Sequence, residues 1–166
     1  MTSKIVLALL FAFVLATQET SATPAPTMQP SPTASVRPAD DAILLNTFGY
    51  ATGQSVLLTH MAVGTLADAY VAKAYKRDKA TTFINTYINV TEGMKDKMKK
   101  LLDEGVLSKS DSEFVGNTIN VLDLVLREAG DLKSYISSGK PADAQAYDNS
   151  RKKALKEVKT LLSIKD

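Results

Sequence analysis

A single histidine, His60, is the residue of this chain that could most readily do chemistry. An imidazole can act as a base or bind a metal, and helical bundles can hold haem between His and Met side chains. Met61, Met94 and Met98 could supply a second ligand. His60 also falls at the edge of an apolar stripe, where a hydrogen-bonded structural histidine is the simpler interpretation. We therefore expect no cofactor, and keep a small-molecule or b-type haem site near His60 as the alternative hypothesis.

Most other kinds of active site need residues that the sequence lacks. The chain contains no cysteine, which excludes a thiol nucleophile, a lipidated cysteine, a disulfide and covalent c-type haem. One histidine cannot supply the two Glu-x-x-His steps of a di-iron bundle. The sequence also has no Gly-x-Ser-x-Gly elbow and no phosphate-binding Gly-x-x-x-x-Gly-Lys loop. These features favour a non-enzymatic protein.

Arg151 is the other residue that its position singles out. Helical spacing from Tyr147 to Ala154 places Arg151 on the inward side of its segment, and a buried guanidinium must be paired. Asp123 and Asp68 are the candidate partners. We expect a buried ion pair of Arg151 with Asp123 that fixes how two helices align, and the alternative is an anion-binding arginine in a cleft.

Four amphipathic helices are the elements that must position these residues. Apolar residues recur at three- and four-residue spacings from residue 40 onward, and no window alternates as a half-buried strand would. Ser110 with Glu113 matches a capping box at the start of the third helix, and Gly105 is a stop for the second. The predicted segments are residues 40–76, 80–104, 110–138 and 141–163. Because the connections are short, the sequence predicts an all-α fold, an up-down-up-down four-helix bundle.

The first helix differs from the others because its sequence is apolar on most sides. Residues 42–67 contain no Asp, Glu, Lys or Arg. The expected inward stripe is Leu44, Leu45, Phe48, Thr52, Val56, Thr59, Val63, Leu66 and Tyr70. A second apolar line is the candidate interface, and consists of Ile43, Tyr50, Leu57 and Met61. Either this helix is the central, best-covered member of the bundle, or the second line contacts another protein, such as a second copy of the chain.

Polar residues and glycines make this helix a poor membrane span despite its missing charges. Threonines, Asn46 and Gln54 dilute the apolar run, so we expect no stable membrane insertion. Gly49, Gly53 and Gly64 each cost a helix about 0.5–1 kcal/mol relative to alanine. Three such residues indicate that something packs closely against this helix.

The first 22 residues are typical of an export signal. Lys4 precedes the apolar run IVLALLFAFVL at residues 5–15, and small residues follow as far as Ala22. Such a segment is usually removed, here by cleavage after Ala22 or after Ala16, and retention as a membrane anchor is the alternative. The sequence therefore predicts a secreted or periplasmic protein.

A linker and one helical domain make up the remaining chain. Residues 23–39 hold five of the six prolines together with Thr and Ser, a composition that predicts a disordered linker. The helical domain is expected at 40–166. A net charge of +2 argues against nucleic acid as a partner. We expect an exported helical bundle that serves as a protein-interaction or structural module, with another protein or a second copy as its partner.

Overall fold

The structure, a computed structural model, describes residues 38–164, with side chains from residue 43 onward. These residues form four helices and no strand, which confirms the all-α bundle. The helices are α1 (Pro38–Val71), α2 (Arg77–Asp103), α3 (Lys109–Ser138) and α4 (Pro141–Leu161). The predicted export signal at 1–22 and the linker as far as residue 37 lie outside the described residues. The expected domain boundary at residue 40 falls two residues inside α1, which begins at a proline because a first-turn residue needs no N–H donor.

Successive helices alternate in direction. At one end of the bundle Gly49 of α1 lies beside the Phe114 ring of α3. At the other end the Tyr70 hydroxyl of α1 donates to the Ile136 carbonyl of α3, at 3.2 Å. Hence α1 and α3 run in the same direction, and the connections of two to five residues make α2 and α4 run in the opposite one.

The residue that caps the start of α3 lies two positions before the predicted one. Ser108, and not Ser110, precedes the helix and accepts a hydrogen bond through its Oγ from the Asp111 backbone N–H, at 3.2 Å. Ser108 has the extended backbone of an N-cap residue and satisfies the first-turn N–H of Asp111, two residues before the Glu113 N–H that the predicted box would have satisfied. Gly105 takes a positive φ of 65° after α2, as its role as a stop requires.

The central helix of the bundle is α3. Both α1 and α3 contact every other helix, whereas α2 and α4 do not contact each other, and α3 buries ten of its residues along its length. Of the two alternatives for α1, the one that makes it the best-covered helix does not hold, because α1 exposes several large apolar side chains. Leu44 and Phe48, both predicted to face inward, are 67% and 39% exposed. The cause is the stagger of the helices: α4 ends where Leu162 packs at Gly53, so the residues of α1 before Gly53 have no α4 beside them.

The glycines of α1 explain how the other helices approach it. A Cβ at Gly53 would lie 2.5 Å from the Leu162 Cδ2 atom, and a Cβ at Gly64 would lie 3.0 Å from the Arg151 Nη2 atom. Both glycines therefore make room for side chains that follow or belong to α4. The close packing that the glycines of α1 predicted is therefore with other side chains of the same chain. Within the described part of the chain, no helix has the length and apolar character that crossing a bilayer demands.

A layer of polar side chains divides the core into two apolar clusters. The first cluster is Val56, Met98, Val115, Ile119, Val121, Leu122, Val125, Ala154 and Val158. The second is Val63, Leu66, Ala67, Ala80, Ile84, Ala129, Leu132, Ile136 and Tyr147. On each helix one buried polar residue lies between the two clusters, and these four residues, here called the polar layer, are His60, Thr91, Glu128 and Ser150.

Candidate functional site

The polar layer is organised around a contact between its histidine and its carboxyl group. His60 Nδ1 lies 2.7 Å from Glu128 Oε2, which joins α1 to α3. The two side chains are 6% and 0% exposed. A buried acid of this kind is stable only when it is paired or hydrogen-bonded. His60 is thus a hydrogen-bonded core residue, held by a partner 68 positions away in the sequence.

Opposing effects act on the Glu128 carboxyl group. Burial is the larger effect and raises its pKa, because the charged form loses its hydration. The hydrogen bond and the charge of His60 lower the pKa, and the charge of Arg151 does so to a smaller extent. The second oxygen, Oε1, has no hydrogen-bond partner among the described residues. The carboxyl group therefore depends on His60 for its one hydrogen bond.

A tyrosine and an arginine of α4 complete the polar region. The Tyr147 hydroxyl is buried, and among the described residues the Arg151 guanidinium is the group placed to hydrogen-bond with it. Burial raises the pKa of Tyr147 to about 12, against the opposing charge of Arg151. The Arg151 guanidinium lies against the backbone of α1 at Gly64. Its Nη1 atom is 3.9 Å from Asp68 Oδ1, with the two side chains 40% and 74% exposed.

The predicted buried ion pair of Arg151 with Asp123 is wrong. Asp123 Oδ1 instead lies 2.6 Å from Lys95 Nζ, and its side chain is half-exposed. Asp123 faces α2, whereas Arg151 points from α4 toward α1, so the rotation of the two helices separates them. The Arg151–Asp68 pair is open to solvent, and exposed ion pairs stabilise a protein by at most about 1 kcal/mol. In the Lys95–Asp123 pair the lysine is mostly covered and the aspartate is half-exposed.

The three methionines of the haem hypothesis have different surroundings, and Met94 is half-buried beside the first apolar cluster. Met61 points outward and is 56% exposed, while Met98 is buried in the first apolar cluster. A cleft of about 710 Å³ lies between α3 and α4, and neither His60 nor any of these methionines lines it. Within residues 38–164, no group of three or more His, Asp or Glu side chains has the arrangement of a metal site.

The candidate interface on α1 is exposed at three of its four residues. Of its four predicted residues, Ile43, Tyr50 and Met61 are exposed, whereas Leu57 is half-buried against the first apolar cluster. Leu44 and Leu58, which were not predicted for this surface, are exposed as well. The outer face of α1, as used below, consists of Ile43, Leu44, Tyr50, Leu58 and Met61, each between 56% and 73% exposed. At 100° per residue these side chains lie within about 120° of the helix circumference.

Glu128 is the functional residue that sequence reasoning missed. It lies three residues after Val125 and four before Leu132, so it occupies an inward position of its own helix. His60 occupies the corresponding position between Val56 and Val63. One acid and one histidine on the inward stripes of two helices are a signal that could have predicted their pairing.

Neither protein-family models nor curated proteins nor solved structures show a match to this chain.

Proposed function

We propose that this chain is an exported, non-enzymatic helical bundle that works through protein–protein contacts made by the outer face of α1. The observation that supports the proposal is the chemistry of that face. Five large apolar side chains are exposed on one helix, and the helix carries no charged residue from 42 to 67. Large apolar side chains concentrated on one exposed face of a soluble protein are typical of a binding surface.

The absence of charge on the face favours a protein as the partner. Nucleic-acid binding depends on Lys and Arg at the phosphates, and helices that lie on a membrane surface carry them along their polar side. The exposed lysines of the bundle lie elsewhere, as Lys152, Lys153 and Lys156 of α4 show. An apolar, uncharged surface is complementary to another apolar surface, with aromatic and Met side chains as typical contacts.

The polar layer supports a structural and not a catalytic role for the ionisable groups. His60 and Glu128 are paired inside the bundle, between α1 and α3. The described cleft between α3 and α4 is lined by other residues. A general base must reach the substrate directly or through one water, so the buried pair is better suited to holding helices together than to turnover.

Export is the part of the proposal that rests on residues 1–22. Cell fractionation followed by N-terminal sequencing tests it. We expect the exported protein to begin at Thr23, after cleavage behind Ala22, or at Thr17, after cleavage behind Ala16. Protein that begins at Met1 and stays in the cytosol would contradict export.

Photo-crosslinking in the producing cell tests the contact surface. Tyr50 is replaced by p-benzoylphenylalanine, an aromatic residue of similar shape, and Lys109 is replaced in a control because its side chain is 93% exposed on α3. We expect irradiation to join position 50, and not position 109, to a protein. Equal adduct yields at the two positions, or none at position 50, would refute a role of this face in protein contacts.

A further inference from the structure

We infer that the outer face of α1 pairs with the same face of a second copy of this chain, an inference that rests on the proposed function. The proposal identifies the partner of that surface. A twofold contact uses one patch twice, so it requires only that the patch be complementary to itself. The area, the charge and the spacing of the face each meet this requirement.

The exposed area is sufficient for a specific dimer. Five large apolar side chains, each more than half exposed, present on the order of 100 Å² apiece, or roughly 500 Å² in all, which is large for a patch on a monomer. Two such faces bury roughly 1,000 Å² in a symmetrical pair, the lower limit for a specific protein interface. The half-buried Leu57 at the margin adds to this area.

The charge distribution permits two copies to meet at this face. Residues 42–67 form about 39 Å of helix without a charged side chain, so neither like-charge repulsion nor desolvation of an ion opposes the contact. A whole-chain net charge of +2 is also too small to keep two copies apart. A charged partner would find no charged side chain to pair with on this face of α1.

The spacing along the face is that of a helix packed against another helix. Three residues of the face, Ile43, Tyr50 and Met61, lie on a line that also contains Thr47, Gln54 and the half-buried Leu57, at positions 43, 47, 50, 54, 57 and 61. Leu44 and Leu58 lie beside this line. The alternating steps of four and three residues average 3.5, the repeat at which two α-helices stay in contact along their length. Thr47 and Gln54 are the polar members, which in paired helices select one alignment of the two chains.

Sedimentation of the protein as isolated from the producing cell, over a range of concentrations, tests the inference. We expect a monomer–dimer equilibrium. Tyr50→Lys and Met61→Lys each place a charge on the face in both copies, and we expect the dissociation constant to rise roughly 100-fold or more. Val90→Lys is the matched control, because Val90 is 62% exposed on α2, and it should leave the equilibrium unchanged. Far-UV circular dichroism and melting in monomeric conditions show that the variants are folded.

The outcomes separate this inference from the proposed function. A wild-type protein that stays monomeric, while position 50 crosslinks to a different protein in the cell, overturns self-pairing and leaves the proposed function intact. A monomer without any crosslink refutes both. Association that survives Tyr50→Lys and Met61→Lys also overturns the inference, because it must use another part of the chain, such as the apolar run at 5–15.

Discussion

Removing the His60 side chain from the buried pair should lower the free energy of unfolding far more than neutralising its partner, Glu128. His60→Ala leaves the Glu128 carboxyl group, at 0% exposure, without a hydrogen bond on either oxygen. Breaking a buried pair in this way costs about 3–5 kcal/mol. The free energy of unfolding of a domain of this size is about 5–15 kcal/mol, so the variant should lose a large fraction of it.

Glu128→Gln is the matched control, because glutamine has the same shape and keeps a neutral hydrogen bond to His60. We expect it to change the free energy of unfolding by less than about 1.5 kcal/mol, the net value of a single hydrogen bond. In the double variant His60→Leu with Glu128→Met, apolar groups of similar size replace both partners. Such replacements are often neutral or stabilising, so the double variant should be more stable than His60→Ala.

Urea unfolding followed by far-UV circular dichroism measures these differences. All variants are compared at one protein concentration in the Tyr50→Lys background, because self-association adds a concentration-dependent contribution to stability. A loss of less than about 1 kcal/mol in His60→Ala, or a loss in Glu128→Gln as large as in His60→Ala, would refute the interpretation of the polar layer as a buried, mutually dependent pair.

Three further predictions concern a titration, a pair of glycines and a helix cap. Burial raises the pKa of Glu128 in the folded state, so the folded protein binds the Glu128 proton more tightly than the unfolded chain does. The resulting contribution to the free energy of unfolding is fully present below the unfolded pKa of about 4.3, and it is lost as the pH rises through the raised folded pKa. Urea midpoints measured from about pH 4 to pH 7 should therefore fall in the wild type relative to Glu128→Gln, and parallel curves would contradict the shift. Gly93→Ala should stabilise the protein by about 0.5–1 kcal/mol, because no atom lies near the added Cβ. Gly64→Ala should lose that gain, because its Cβ would lie 3.0 Å from the Arg151 guanidinium. Equal melting temperatures for the two variants would show that the guanidinium does not pack at Gly64. Ser108→Ala removes the side chain that caps α3 and should lower the free energy of unfolding by about 1 kcal/mol, while an unchanged urea midpoint would show that this cap does not contribute.

The helices themselves were predictable because their signals are local. Apolar spacing identified all four, and glycine and proline placed the ends at Gly105 and Pro141 within a few residues of the observed ones. The exposure of Ile43, Tyr50 and Met61 agrees with one of the two alternatives that the second apolar line left open. These features depend on residues that lie close together in the sequence.

The arrangement of the helices was not predictable in the same way. Leu44 and Phe48 are exposed because α4 ends near Gly53, and this stagger depends on the relative lengths and positions of two helices. Asp123 binds Lys95 and not Arg151 because small rotations decide which helix a surface residue faces. Periodicity assigns a residue to a side of its helix, but it does not say which neighbour lies on that side.

The polar layer also limits the ways in which these helices can be assembled. Apolar clusters rich in Val, Leu, Ile and Ala tolerate sliding, because one aliphatic contact replaces another at little cost. If α1 slid by one turn, about 5.4 Å, His60 would move among aliphatic side chains and the Glu128 carboxylate would lose its hydrogen bond. A misaligned bundle thus leaves the buried Glu128 without the hydrogen bond that it has in the native one, so the sequence favours a single assembled form over compact, interchangeable ones.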